Sequence, residues 1–415
     1  MNPIKKHIFA ILFIFPWTIG LSYAQNVSTE ALRKAGKISS SSSPQTFPIQ
    51  IWNDFILVDA KVNGVQGTFI WDNGLSFCAL DSVFAERAGV RFNKKKRDTV
   101  VDGNEKMLDL ETQYAHKIQI GMFSEEHAPV FGLDIDHGFL KNREKKISGL
   151  IGSGFSNHFN WDFDFDKKTV TLSEQPIKKA GIEITYLIDS FNNLHYLPLN
   201  LNGEDLYAQV DFGMVGEVFG GTDALMPLFS GHPIIQSVGY NSLSAGGLDR
   251  IDTIFTVRGN YDYSIDGQKF TEFPDIELNG SEQGFRMGVR FFQHYNVTIN
   301  NSDSTYILSK RLKPLPSKTK KGFGVFVLKK KEELYIGRLT DNPNLQGKNI
   351  QLMDKVKMIN DKTAKDFYGI IDLRDYQEKL KDAGKKMVLK MQNGSQYTFV
   401  PQDDIAQLES LQQSF

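Results

Sequence analysis

Two aspartates, Asp72 and Asp211, stand in matching surroundings. Asp72 lies within NGVQGTFIWDNG and Asp211 within NGEDLYAQVDFG; in each case an Asn-Gly pair (Asn63-Gly64, Asn202-Gly203) precedes the aspartate by nine residues, an offset of 139 between the copies. Two carboxyl groups brought into contact cannot both ionise, so one pKa rises while the other stays low. The ionised member can then take a proton from water, and the protonated member can donate to a carbonyl oxygen. That chemistry requires each aspartate on a tight loop that approaches the other closely. A glycine two residues on, Gly74 in one copy and Gly213 in the other, permits such an approach.

The elements that would position these loops repeat as well. LIGSGFSNHFNWDFDF (Leu150 to Phe165) aligns with RMGVRFFQHYNVTINN (Arg286 to Asn301) at an offset of 136, pairing Gly152 with Gly288, Phe155 with Phe291 and His158 with His294. A repeat on this scale fixes the architecture before any finer reading. In each copy, apolar and β-branched runs flank the Asn-Gly pair, a strong hairpin signal. The second strand of each hairpin then runs into the aspartate. Two β-rich halves, each offering one carboxylate, predict a site at the boundary between lobes.

Composition narrows the class. The 415 residues are 40% hydrophobic and 12% aromatic, enough for several cores. A net charge of -1 gives no reason to expect nucleic acid or an anionic membrane as partner. Residues 1–24 have the form of a secretory signal: Lys5 and Lys6, an apolar run from Ile8, and Ser22-Tyr23-Ala24 at the expected cleavage point. Export to the periplasm or beyond is therefore expected, with no membrane span left after cleavage. Cys78 is the single cysteine, so an exported life does not rest on internal disulfides. Residues 25–45, with serines 39 to 43, read as a flexible leader, 46–178 as the first lobe, and 179–310 as the second. Residues 311–320, rich in proline and basic residues, read as a linker; 321–402 form a third compact unit, and 403–415 a polar tail that could be helical.

On these residues the two lobes resemble the pepsin-like and retropepsin-like aspartic proteases, above all their bacterial exported type. The family's Asp-Thr/Ser-Gly motif is matched by Asp72-Asn73-Gly74 and Asp211-Phe212-Gly213. Its apolar-apolar-glycine signature is matched by Leu150-Ile151-Gly152 and less well by Arg286-Met287-Gly288. The resemblance spans roughly residues 46 to 310. It implies a mainly β, two-lobed acid-protease fold, a polypeptide substrate, Asp72 and Asp211 as catalytic dyad, and no metal or organic cofactor. Since one chain carries both aspartates, a monomer suffices. In the family, the residue after each aspartate bears a hydroxyl that bonds across the lobe boundary. Asn73 could supply a substitute bond, whereas the Phe212 side chain could not. The resemblance also implies a flap over the cleft, for which VVDGNEKML (Val100 to Leu108) is the candidate, with SLSAGGLD around Gly246-Gly247 as its counterpart; plain connecting hairpins are the competing reading.

The third unit resembles PDZ domains. Gly322-Phe323-Gly324-Val325 stands where that family's carboxylate-binding loop lies, and LMDKVKMIND (Leu352 to Asp361) where its "GDxIxxING" stretch lies; a helix at about 372 to 383 precedes a last strand. The resemblance implies a small α+β domain whose loop amides could hold a peptide's terminal carboxylate beside the strand VFVL.

Other signals lead nowhere. Asp211-Phe212-Gly213 also spells the kinase magnesium motif but lacks the accompanying loops, and eight histidines show no metal-ligand spacing. His158 and His294 sit beside aromatics and read as packing residues. Two functions stay open from sequence: an exported aspartic endopeptidase with a peptide-recruiting module, or an inactive relative that binds peptides without cutting. The residues that divide them are Asn73 and Phe212.

Overall fold

The computed structural model describes residues 36–408, apart from 190, 260, 272–273, 281–283 and 317–319. The expected signal at 1–24 lies outside the described residues.

The chain folds as the repeat dictates. In the first lobe, Phe55–Val62 and Val65–Trp71 pair antiparallel around Asn63-Gly64, both at positive φ. In the second, Leu194–Leu201 and Glu204–Asp211 do the same around Asn202-Gly203. This is the turn whose twist matches paired strands. The strand that ends at each aspartate then gains a parallel neighbour from the second repeated motif. Gly149–Ile151 lies beside Val65–Trp71, with Ile151 opposite Trp71, and Phe285–Gly288 lies beside Glu204–Asp211, with Gly288 opposite Asp211. Each signature glycine is required by a close approach. A Cβ on Gly152 would stand 2.1 Å from the Phe77 carbonyl oxygen, and one on Gly288 2.6 Å from that of Gly216. A one-turn helix follows each glycine, Ser153–Ser156 and Val289–Phe292.

Beneath the two lobes runs a shared six-stranded sheet. Its centre is the antiparallel pair Asn160–Asp164 and Tyr295–Asn300, one strand from each copy. Above it lies an aromatic core continuous across the boundary, in which Trp71, Trp161, Phe163, Phe212, Phe291, Phe292 and Tyr306 are almost fully buried. This core holds the two aspartate loops in fixed relation.

The third unit is a small α+β body with its own core of Phe323, Val327, Ile336, Leu373, Leu389 and Phe399. It contains the strands Val325–Lys330, Glu333–Thr340, Lys355–Ile359, Met387–Met391 and Gln396–Phe399 and the helix Ile370–Asp382. It does not hang from a linker. Arg338–Thr340 pair with Ser237–Gly239 of the second lobe. On its other side, Ile371 packs with Trp52, Leu57 and Ile70 of the first lobe, and Asn53 donates to Asp375 at 3.0 Å.

Three segmental expectations need correction. The leader is flexible in composition, yet Lys37–Ser39 pairs with Ser124–Glu126 and Ser41 is buried, because an unpaired strand edge is available there. In the supposed linker, Arg311 and the Leu312 and Lys313 amides all reach the Asp166 carboxylate. The tail is extended rather than helical as far as it is described: Gln402–Asp403 pairs with Lys321–Gly322, and Ala406–Leu408 with Pro233–Ile235. Among the described residues no helix is long and apolar enough to cross a membrane.

Candidate active site

Asp72 leaves the end of its strand with its amide donating to Ile151 (2.9 Å), so the parallel neighbour fixes where the loop begins. The loop folds back on itself: Gly74 N–H donates to Asp72 Oδ1 at 3.1 Å, and Gly213 N–H to Asp211 Oδ1 at 2.9 Å. The two loops face each other across the lobe boundary. A Cβ built on Gly74 would stand 2.3 Å from Asp211 Cγ, and one on Gly213 2.2 Å from Asp72 Cγ. Each carboxyl therefore rests on the glycine of the opposite loop, which brings the two carboxyls close together. Only glycine fits either position.

By exposed area each aspartate is half-buried, but its carboxyl is shielded by the opposite loop. That desolvation is the main reason the Asp72 pKa is held well above its ordinary value, with the nearby Asp211 charge adding to it. Asp211 is also raised by burial, but the Arg286 charge and the Gly213 and Met214 amides favour its ionised form. The two carboxyls therefore titrate as one coupled pair that keeps a shared proton beyond the range of an ordinary aspartate.

The departures at the next residue resolve in an asymmetric way. Asn73 is fully buried, and its Oδ1 accepts the backbone N–H of Phe212 from the other lobe at 2.9 Å. Its Nδ2 donates to Tyr306 Oη at 3.2 Å, which in turn lies 2.7 Å from His195 Nδ1. Asn73 therefore supplies the cross-lobe bond that the family draws from a hydroxyl. The Phe212 ring returns none; it packs edge-on against Trp71 at 5.0 Å and stacked on Phe292 at 4.8 Å.

The two hairpins picked out as flap and counterpart meet each other, and both pack with Leu75 and Val215, which follow the aspartate loops. Strands Arg97–Val101 and Met107–Ile120 carry the first hairpin's tip. There Asp102 Oδ1 accepts the Asn104 and Lys106 amides, and its Oδ2 accepts the Gly246 N–H (2.9 Å) and the Ser244 hydroxyl. Asn104 Nδ2 donates to the Gly247 carbonyl at 3.0 Å, and Lys106 Nζ to those of Gly246 and Leu248. Arg286 adds a bond from its guanidinium to the Gly103 carbonyl at 2.8 Å. These contacts join the lobes across the top of the cleft. Beneath the flap, Leu75, Val100, Leu110, Val215, Leu243 and Ala245 border an apolar wall that includes Leu150.

The loop Gly322-Phe323-Gly324-Val325 lies far along the chain from the dyad and is engaged by its own unit. Gly322 pairs with Gln402, the Gly324 carbonyl accepts the Thr340 amide, and Phe323 and Val325 are buried. Next to it, Gln377 of the helix bonds both the N–H and the C=O of Val327 at 2.8 Å. The strand edge open to an incoming peptide is thus taken at that residue by a side chain.

Arg286, Tyr306 and His195 were not singled out by sequence. Arg286 did leave a signal, since it stands where the second copy of the apolar signature fails. Tyr306 and His195 left none; Tyr306 meets Asn73, and His195 meets Tyr306, through the fold alone. Among the described residues no group of three His, Cys, Asp or Glu side chains is placed to hold a metal.

Comparisons with known proteins bear on the first lobe. Residues 58–155, the segment carrying Asp72 and the Leu150-Ile151-Gly152 signature, match the family model described as aspartyl protease. Among solved structures, a retropepsin-like aspartic protease from Rickettsia conorii is similar at 20% identity and a TM-score of 0.22, over 32% of this chain and 92% of that one. A comparison with curated proteins found no match. The fold is mainly β, with two lobes that each present one aspartate loop, and the segment 58–155 is similar to aspartyl proteases.

Proposed function

We propose that the chain is an exported aspartic endopeptidase in which Asp72 and Asp211 activate one water between them. The observation that carries this reading is the mutual seating of the two carboxyls, each over the opposite loop's glycine at the lobe boundary. Asp211, ionised beside Arg286, takes the water's proton as its oxygen attacks the peptide carbonyl carbon. Asp72, protonated, donates to the carbonyl oxygen, so that the tetrahedral intermediate forms without net charge build-up. Collapse of the intermediate returns a proton to the leaving amine. The Asn73 bond to Phe212 holds the loops in register while this happens. It favours activity over the inactive alternative, since one of the two cross-lobe bonds is kept. The flap must lift for a polypeptide to enter. One chain supplies both aspartates, so the working unit is a monomer.

The decisive experiment is digestion of a denatured protein by the purified mature chain at acidic pH. Cleavage that disappears in both Asp72→Asn and Asp211→Asn is expected. Cleavage that persists in the double variant sinks the dyad assignment.

Two further parts of the proposal concern setting. The positively charged, apolar first segment supports export, and cell fractionation with N-terminal sequencing tests it. The third unit is proposed to recruit polypeptide termini beside Val325–Lys330, which requires Gln377 to give up its bonds to Val327. Binding of free-carboxylate peptides over amidated ones, strengthened by Gln377→Ala, is the expected outcome; equal binding of both leaves the unit a purely structural brace.

A further inference from the structure

The repeat places two sets of three residues at matched positions on either side of the lobe boundary. One set is Asn73, Tyr306 and His195. Carried through the offsets of 139 (Asn73, His195) and 136 (Tyr306), its counterparts are Phe212, Ile56 and Val170. The strand register agrees, for Tyr306 lies opposite Ile299 as Val170 lies opposite Phe163. All six side chains are almost fully buried. Phe212, Ile56 and Val170 are apolar and belong to the shared core. The same place in the fold can thus be filled without a polar atom, whereas the polar set carries a desolvation cost that apolar packing avoids.

The polar set forms one chain. Burial holds the His195 pKa down at about 3 and pushes the Tyr306 phenol up, so both side chains are neutral. Asn73 Oδ1 is committed to the Phe212 amide, and Nδ2, which can only donate, is accepted by Tyr306 Oη. The single phenol proton is then free for His195 Nδ1, 2.7 Å away, which puts the imidazole proton on Nε2. The other tautomer leaves two buried groups unmatched, the phenol proton and Nε2. This one leaves only the Nε2 N–H, which has no partner among the described residues. His195 is held in turn by Tyr186, stacked on it at 4.0 Å and bonded through its hydroxyl to Asn301 at 2.8 Å. Resting on the aspartic endopeptidase reading above, we propose that Tyr306 and His195 are positioning residues of the dyad, acting through Asn73. They fix its carboxamide with the oxygen turned to Phe212, and so hold the Asp72 loop against the Asp211 loop.

Tyr306→Phe removes one oxygen and keeps the ring. With a defined peptide substrate at acidic pH, kcat is expected to fall about tenfold or more at unchanged KM, the mark of lost alignment in the transition state. In an Asn73→Ala background the same change should lower kcat no further, because the chain is already cut off from the dyad. His195→Leu should lose rate like Tyr306→Phe, and His195→Asn, whose Oδ1 can accept the phenol proton, should recover most of it. An unchanged kcat in Tyr306→Phe, or equal losses with and without Asn73, overturns the positioning role while leaving the protease intact. A second arm needs no hydrolysis: nitrogen NMR spectra of histidine-labelled protein should show His195 bare at Nδ1 and protonated at Nε2, its signals assigned by their loss in His195→Leu. A proton on Nδ1 overturns the direction of the chain and the role with it. Absence of any cleavage overturns the endopeptidase, and the spectra then decide the chain alone.

Discussion

Asn73 in one lobe accepts the backbone N–H of Phe212 in the other at 2.9 Å, and this single bond replaces what a symmetric pair of hydroxyls would make. The boundary is clasped from one side only. The consequence is that Asn73 and Phe212, although they occupy equivalent positions, must respond differently to substitution.

Asn73→Ala strands the Phe212 amide and removes a donor to Tyr306 in a fully buried setting. A loss of about 1–3 kcal/mol of stability is expected from denaturant unfolding. Hydrolysis should fall on the order of a hundredfold, since about 1 Å of misplacement suffices for that. Asn73→Ser, which keeps an acceptor, should recover part of the rate.

Phe212→Thr looks from sequence like a repair, but the structure reverses that expectation. Phe212 has no exposed surface and fills the space between Trp71, Phe163 and Phe292. Removing most of the ring should cost about 3–5 kcal/mol and lower the rate. A melting temperature equal to that of the wild type, with faster hydrolysis, would show the clasp to be improvable.

The dyad sets a pH dependence for both rate and stability. Rate should follow a bell, rising as Asp211 ionises and falling as Asp72 loses the shared proton; both raised pKa values move this window above the range of ordinary aspartates. For stability the sign follows from the folded chain holding the extra proton. Raising pH from below ~3.9 through the raised values must ionise a buried pair, so the dyad's contribution worsens as pH rises. Asp72→Asn should therefore melt at a higher temperature than the wild type near neutral pH, with the gap closing in strong acid. A gap that widens toward acid would refute the shared-proton arrangement.

Asp102→Ala cuts the bonds to Ser244 and Gly246 and also undoes the turn that presents the tip. Amide exchange in 100–108 should quicken by tenfold or more, while exchange in the interlobe sheet stays as it was. Lys106→Met, which spares the turn, should give a smaller change in the same direction. Unchanged exchange in both variants would mean that the lobes are not latched there.

Much of this was legible in the sequence because the repeat writes each key element twice. The Asn-Gly turns, the strand-ending aspartates and the signature glycines are local features whose reasons survive without coordinates. What stayed hidden depends on non-local packing. Nothing near Asn73 announces that Phe212, 139 positions away, offers it an amide, or that Tyr306 waits behind it. The docking of Lys37–Ser39 and Ala406–Leu408 was equally invisible, because an edge strand is defined by its neighbour more than by its residues.

The strand Pro233–Gly239 of the second lobe is covered along one side by two separate pieces of chain: Ala406–Leu408 over its first half and Arg338–Thr340 over its second. Left bare, that flank would present a row of unmatched amides and carbonyls beside Ile234 and Ile235, a template for pairing with another molecule. A proteolytic nick that released everything after Lys310 would leave the dyad intact and yet turn the protein sticky. Solubility here is carried by a part of the chain that does no chemistry.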